Sequence, residues 1–182
     1  AHIELPLCSV NFERILNKKK KSNSIYTNIE KKTIVDDLHS VIPPKLETNF
    51  ENEPLVSIII PTKNNYKILK RCIDSIKSNT SYKNLEIIIV DNDSTEFELK
   101  KYYESLAYTI LIYEGNFNFS KMNNLAVKHA NGDFFLFLND DTKVLELDWL
   151  NKLVSSCNQD GVGAVGAKLI LRDGKIQHAG SI

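Results

Sequence analysis

Three apolar runs, each stopping abruptly at polar residues, constrain this chain more than anything else in it. Val56-Ser57-Ile58-Ile59-Ile60 stops at Pro61-Thr62-Lys63-Asn64-Asn65, and Leu85-Glu86-Ile87-Ile88-Ile89-Val90 stops at Asp91-Asn92-Asp93-Ser94. Phe134-Phe135-Leu136-Phe137-Leu138 stops at Asn139-Asp140-Asp141-Thr142. Runs this short and this apolar read as strands buried on both faces, the condition of a parallel sheet covered by helices. The intervening segments carry helical stripes: Ile68, Leu69, Cys72, Ile73 and Ile76; Leu99, Tyr102, Tyr103 and Leu106; Met122, Leu125, Ala126 and His129; Trp149, Leu150, Leu153, Val154 and Cys157. Further strands are predicted at 109–113 and from 162 to 166. Thr95 with Glu98 predicts a capping box for the second helix, and Ser120 a cap for the third. His129 and Trp149 are expected in the core; the Phe117/Phe119 pair is expected there too, with stacking on a ligand as the alternative. Strands alternating with helices predict an α/β fold with a mostly parallel, doubly wound sheet, helices on both faces and right-handed crossovers.

In such a sheet the three polar tips lie along one edge and converge on a single crevice. Their chemistry suits a nucleotide. Asp91 can accept from a base imide N–H, while Thr62 and Asn64 can hydrogen-bond base or ribose. Adjacent acids at Asp140 and Asp141 repel one another unless a cation lies between them and an anionic ligand, and a hard divalent metal bridging to a diphosphate meets that need. A polar turn after a core strand is the plainer alternative. No G-x-G-x-x-G follows any strand and no G-x-x-x-x-G-K-[ST] occurs, so a dinucleotide-dependent dehydrogenase and a P-loop phosphotransferase are both disfavoured. A nucleotidyltransferase on a similar fold is disfavoured by the lack of a glycine- and arginine-rich phosphate loop after the first strand.

Charge and cysteine content exclude other classes. Lys+Arg and Asp+Glu are 23 each, so the formal net charge is zero and bulk electrostatic capture of nucleic acid is not expected. Cys8, Cys72 and Cys157 are widely spaced and form no C-x-x-C, which predicts reduced thiols rather than a disulfide frame or zinc site. No apolar run reaches membrane-spanning length. Residues 1–53 read differently from the rest: four lysines at 18–21 suggest a solvated stretch, residues 25–41 carry a weak helical period, and Pro43-Pro44 ends it. A linker at 47–54 places the domain boundary there, with an N-terminal extension at 1–53, read as the tail of a preceding module, and an α/β nucleotide-binding unit at 54–182.

Three ordered motifs carry a resemblance: Leu55 through Asn64, Ile88-Ile89-Val90-Asp91-Asn92-Asp93-Ser94-Thr95, and Asn131-Gly132-Asp133 through Asp141. Over residues 55 to 182 the chain resembles the family 2 glycosyltransferases of GT-A fold. Gly115-Asn116-Phe117-Asn118-Phe119-Ser120-Lys121-Met122-Asn123-Asn124, and Gly166 through Gly180, are similar to the bacterial enzymes that build surface polysaccharide. The resemblance implies an inverting transferase that takes a UDP-, dTDP- or GDP-type nucleotide-diphospho sugar with Mn²⁺ or Mg²⁺ and passes the sugar to a glycan or lipid-linked acceptor. It also implies a cytoplasmic location, with a peripheral seat at the inner face of the membrane where acceptors are lipid-linked. By position, Pro61, Thr62 and Asn64 match the nucleoside loop, and Asp91 matches the acid that reads the base, with Asp93 in the same loop. Asp141 matches the usual metal ligand and Asp140 sits beside it. Two departures stand out: Asn139 replaces the first acid of the D-x-D motif, and Asn123 replaces a common arginine, leaving Lys121 as the nearest cation for phosphate. Asn116, Asn118 and His178 are further candidates for contact with sugar or ribose. The general base is expected beyond Ile182, so residues 1–182 are expected to bind nucleotide with little transfer of their own. A non-catalytic nucleotide-sugar-binding or scaffolding module is the alternative.

Overall fold

A computed structural model of the chain describes residues 7–10, by backbone alone, and residues 52–178. The lysine run at 18–21, the helical period at 25–41 and the linker as far as residue 51 lie outside the described residues, as do the side chains of Cys8 and His178. The strands are β1 (Leu7–Val10), β2 (Val56–Thr62), β3 (Leu85–Asp91), β4 (Thr109–Ile112), β5 (Phe134–Phe137), β6 (Ala164–Gly166), β7 (Leu169–Ile170) and β8 (Ile176–His178). The helices are α1 (Tyr66–Ser78), α2 (Phe97–Glu104), α3 (Phe119–Val127) and α4 (Trp149–Cys157).

The sheet runs β4-β3-β2-β5-β1-β6. β2 lies between β3 and β5 and is parallel to both, and β3 is parallel to β4. β1 is antiparallel to both β5 and β6, so a strand from before residue 54 completes the sheet of the segment that follows. β7 and β8 form a separate antiparallel pair.

Alternation along the strands explains why both faces had to be apolar. Val56, Ile58 and Ile60 of β2, with Ile87, Ile89, Phe134 and Leu136, pack against Leu69, Cys72, Ile73 and Ile76 of α1, Leu99 of α2, and Trp149, Leu150, Leu153, Val154 and Cys157 of α4. Ile59, Ile88, Val90 and Phe135 face the other way and meet Met122 and Ala126 of α3. The predicted mostly parallel sheet with helices on both faces is therefore the fold of the described residues, and the Trp149, Cys72 and Cys157 side chains are core.

The ends of the helices differ from the sequence reading. α2 has Glu96 as its N-cap residue, with no side-chain cap of its own. The N–H groups of Thr95 and Glu96 instead donate to Asn64 Oδ1 at 2.7 and 3.1 Å, so the Thr95/Glu98 box does not form. Asn118, not Ser120, caps α3, its Oδ1 accepting from the Lys121 N–H at 3.0 Å. His129 lies beyond the end of α3 and is exposed, because the helical spacing that placed it in the core outruns the helix itself.

At the edge opposite the polar tips a buried knot fixes the strand register. Gly132 N–H donates to Ser57 Oγ at 2.9 Å, Ser57 Oγ donates to Glu86 Oε1 at 2.6 Å, and Asn131 N–H reaches the same Glu86 oxygen at 2.6 Å. Burial alone would raise the Glu86 pKa, but the bonds from Ser57, Asn131 and Gly132 outweigh it and hold the carboxyl below its ordinary value. Only glycine fits at 132, where a Cβ would come within 2.5 Å of Ser57 Oγ and 2.7 Å of Ser57 N.

Candidate functional site

The C-terminal ends of β2 and β5 open into a crevice of about 610 Å³, lined by Pro61, Thr62, Lys63, Asn65, Phe117, Phe119, Asn139, Asp140 and Asp141. That volume falls within the range of small-molecule sites. Because β2 and β5 are parallel neighbours, residues far apart in sequence meet here: Thr62 Oγ1 donates to Asp140 Oδ2 at 2.7 Å across a separation of 78 positions. Thr62 is 2% exposed, so its hydroxyl is committed to that bond.

The two acids have different surroundings. Burial raises the Asp140 pKa above its ordinary value; the Thr62 bond opposes the rise, and the charge of Asp141 adds to it. Asp141 Oδ1 is buried and has no hydrogen-bond partner. A buried carboxylate oxygen left unpaired is costly, and its natural partner is a cation. The donor set is all oxygen, from two carboxylates and the Asn139 amide, which suits a hard divalent ion. No cluster of three or more histidine, cysteine, aspartate or glutamate side chains that could hold a metal occurs among the described residues. An ion here would keep positions for water and ligand oxygens, the usual state of Mg²⁺ beside phosphates.

The tip of β3 adjoins this crevice and is internally tied. Asp91, 2% exposed, accepts from the Ser94 N–H at 3.2 Å and from the Ser94 hydroxyl. Ser94 Oγ in turn accepts from Asn64 N–H at 2.8 Å, joining the β2 and β3 loops. Asn64 (φ 46°) and Asp93 (φ 49°) both adopt left-handed backbone, a conformation asparagine and aspartate tolerate better than most residues. Asp93 is exposed. Burial, with the negative charges of Asp91 and Asp140, pushes the Tyr103 phenol well above its ordinary pKa, so it stays protonated beside them.

Of the residues singled out from sequence, the structure brings Pro61, Thr62, Asp140 and Asp141 into the crevice wall. Asn64 and Asp91 form the neighbouring knot, Asp93 is exposed in the same loop, and none of the three is part of that wall. Lys121 is exposed in the first turn of α3, and Asn116 is exposed in the loop before it. Lys63 and Asn65, members of the first polar loop, also line the crevice, and so do the two phenylalanines, for which contact with a ligand is the alternative to burial. Phe117 is 59% and Phe119 41% exposed, contrary to their expected burial. The reason is local: Asn118 between them is extended (φ −146°, ψ 101°), which turns both rings to one side, away from the α3 stripe that packs on the sheet. Asn92, fully buried, was also missed; its Nδ2 donates to Tyr113 O at 3.0 Å and Gly115 O at 2.9 Å, binding the aromatic loop to the β3 tip.

The sequence pattern of glycosyl transferase family 2 matches residues 57–180, the segment that builds this sheet edge and crevice. The chain belongs to this family. Among curated relatives, it is 39% identical over 132 residues to the O-antigen biosynthesis protein RfbC of Myxococcus xanthus, a match covering 71% of this chain and 10% of RfbC. It is 32% identical over 130 residues to the GalNAc(5)-diNAcBac-PP-undecaprenol beta-1,3-glucosyltransferase of Campylobacter jejuni, covering 68% of this chain and 41% of that enzyme. The chain thus spans less than half the length of either relative. Among solved structures, the mannosyltransferase PcManGT of Pyrobaculum calidifontis, in complex with GDP-Man and Mn²⁺, superposes with a TM-score of 0.52 at 22% identity, covering 60% of this chain and 34% of that one. That likeness is one of fold, and it is the GT-A fold. Its relatives include a protein named for O-antigen biosynthesis, a polysaccharide pathway.

Proposed function

We propose that the crevice is the donor site of an inverting glycosyltransferase that takes a nucleotide-diphospho sugar. One observation carries the reading: Asp141 holds a buried, unpartnered carboxylate oxygen beside an Asp140 whose ionised form is disfavoured, in a crevice of ligand size. The residues fit a divalent cation, Mn²⁺ or Mg²⁺, with Asp141 as its protein ligand and Asp140 or Asn139 supplying further oxygen. Such a cation, when bound, neutralises the charge that develops as a nucleoside diphosphate departs. Thr62 keeps Asp140 oriented toward the same space. Pro61, Asn64, Asp91 and Asp93 shape the nucleoside end, where exposed Asp93 offers an acceptor, and Lys121 offers a cation to phosphate. The donor's nucleotide is of UDP, dTDP or GDP type. The acceptor is a glycan hydroxyl, free or lipid-linked, a reading supported by the names of the polysaccharide-building relatives. No helix among the described residues is long and apolar enough to cross a membrane. The proposed location is cytoplasmic, peripheral to the membrane where the acceptor is lipid-linked.

Asn139 in place of a first acid favours one competing reading, a non-catalytic nucleotide-sugar-binding module, because an amide oxygen is a neutral and weaker ligand. Thermal unfolding with Mn²⁺ plus UDP, GDP or dTDP tests the donor site directly. A ligand at a hundred times its Kd adds about 2.7 kcal/mol of stability, and Asp141→Ala should remove the metal-dependent part. Equal melting of wild type and Asp141→Ala with every nucleotide would overturn the metal-assisted donor site. Little transfer is expected from residues 1–182 alone, so any sugar transfer to an acceptor by the wild type would exclude the non-catalytic module.

A further inference from the structure

We propose that Phe117 and Phe119 form an aromatic wall against which the base of the nucleotide stacks. The proposal rests on the donor-site reading and assigns it a residue pair. Both rings line the crevice that holds Thr62, Asp140 and Asp141, and both remain substantially exposed. Neither belongs to the core: α3 uses Met122 and Ala126 to cover the sheet. Leaving these two rings partly in water forgoes apolar burial that the fold could otherwise have used. The loop is nonetheless built to hold them there. Asn118 caps α3 through Lys121 N–H at 3.0 Å and, being extended, sets the flanking rings on one side. Asn92, at 0% exposure, clamps the loop at Tyr113 O and Gly115 O, and Gly115 itself has φ 114°, a left-handed turn suited to glycine.

The chemistry of the remaining wall decides the occupant. Apart from Pro61 the rest of the wall is polar, and no other aromatic ring lines the crevice among the described residues. With the acids engaged toward the diphosphate, the flat apolar faces are left for the flat, apolar part of the same ligand. The loop is also anchored to the β3 tip that carries Asp91 and Asp93, the proposed nucleoside end. Every base offers a π-face, so the wall would add affinity with little choice among bases.

Calorimetric titration in the presence of Mn²⁺ separates the parts of the ligand. The probes are UDP, GDP, UDP-glucose and inorganic pyrophosphate; the variants are Phe117→Ala/Phe119→Ala and the conservative Phe117→Tyr/Phe119→Tyr. Stacking on one base corresponds to a loss of roughly 5- to 150-fold on truncation. The alanine pair should lose that much affinity for UDP and GDP, keep its affinity for pyrophosphate, and be restored by the tyrosine pair. Equal losses for pyrophosphate and UDP, or a loss for UDP-glucose with none for UDP, would overturn the base-stacking wall, the second outcome by assigning the rings to sugar. Wild-type binding with unchanged variants overturns the wall alone. A wild type that binds none of the probes overturns the donor site and the wall with it.

Discussion

Replacing Thr62 with valine removes one hydroxyl and leaves almost everything else in place. Thr62 ends β2 at 2% exposure, and valine keeps its volume and its β-branched shape. What disappears is the 2.7 Å bond to Asp140 Oδ2. A hydrogen bond to a charged group contributes about 1.5–3 kcal/mol, and because Asp140 keeps part of its contact with solvent the lower range, about 1–2 kcal/mol, applies here. In a chain of this size that is a fall in Tm of about 2–8 °C. The pH dependence carries a sign. Burial raises the folded pKa of Asp140 above its unfolded value, the Thr62 bond restrains that rise, and Asp141 promotes it. A raised carboxyl pKa means stability that is present below the unfolded pKa and is lost as pH rises through the folded one. Losing the Thr62 bond enlarges that loss. The deficit of the Thr62→Val variant is therefore greatest near neutral pH and shrinks in acid, as Asp140 becomes protonated in the folded protein. Urea unfolding of both proteins at pH 7 and at pH 4 measures it. A deficit that is missing at pH 7, or as large or larger at pH 4, refutes the coupling between the ends of β2 and β5.

Gly132→Ala should destabilise the fold by about 2–4 kcal/mol, from overpacking and the loss of a buried bond, since the new Cβ would meet Ser57 Oγ, Ser57 N and Phe134 O at 2.5, 2.7 and 2.8 Å. An alanine variant as stable as its parent in urea would contradict the knot at that end of the sheet. Burial, with the charges of Asp140 and Asp141, pushes the Cys72 thiol to about 12, so it should resist a disulfide reagent at pH 8 in the native protein and react only on unfolding. Rapid native-state modification of Cys72, located by peptide mapping, would show that the core beneath the acid loop is open.

The parts of the fold legible in the sequence were those fixed by local patterns strong enough to survive any context. β2, β3 and β5 needed apolar residues on both faces, and their runs ended where the chain left the sheet, so Thr62 and Asp140 could be assigned to one edge before any contact was known. Nonlocal partners were invisible. Thr95 and Glu98 have the spacing of a capping box, but Asn64, 31 residues earlier, reaches the Thr95 N–H first. The Ser57–Glu86–Gly132 knot joins positions 29 and 75 apart and has no signature in either segment. His129 continued a helical stripe that the chain had already abandoned after Val127. Phe117 and Phe119 misled for a different reason: apolar character argues for burial, and only the extended backbone at Asn118 reveals that the rings turn to the crevice. An aromatic–Asn–aromatic spacing with the asparagine as helix cap was the available signal.

The central claim is that Asp141 and its neighbours hold a divalent cation that carries a nucleoside diphosphate. Crystals grown with Mn²⁺ and UDP, measured for manganese anomalous scattering, test it without reference to turnover. An anomalous peak is expected bonded to an Asp141 carboxylate oxygen, with the diphosphate on its far side. A well-ordered UDP with no manganese at Asp141, or manganese bound only elsewhere on the protein, would contradict it.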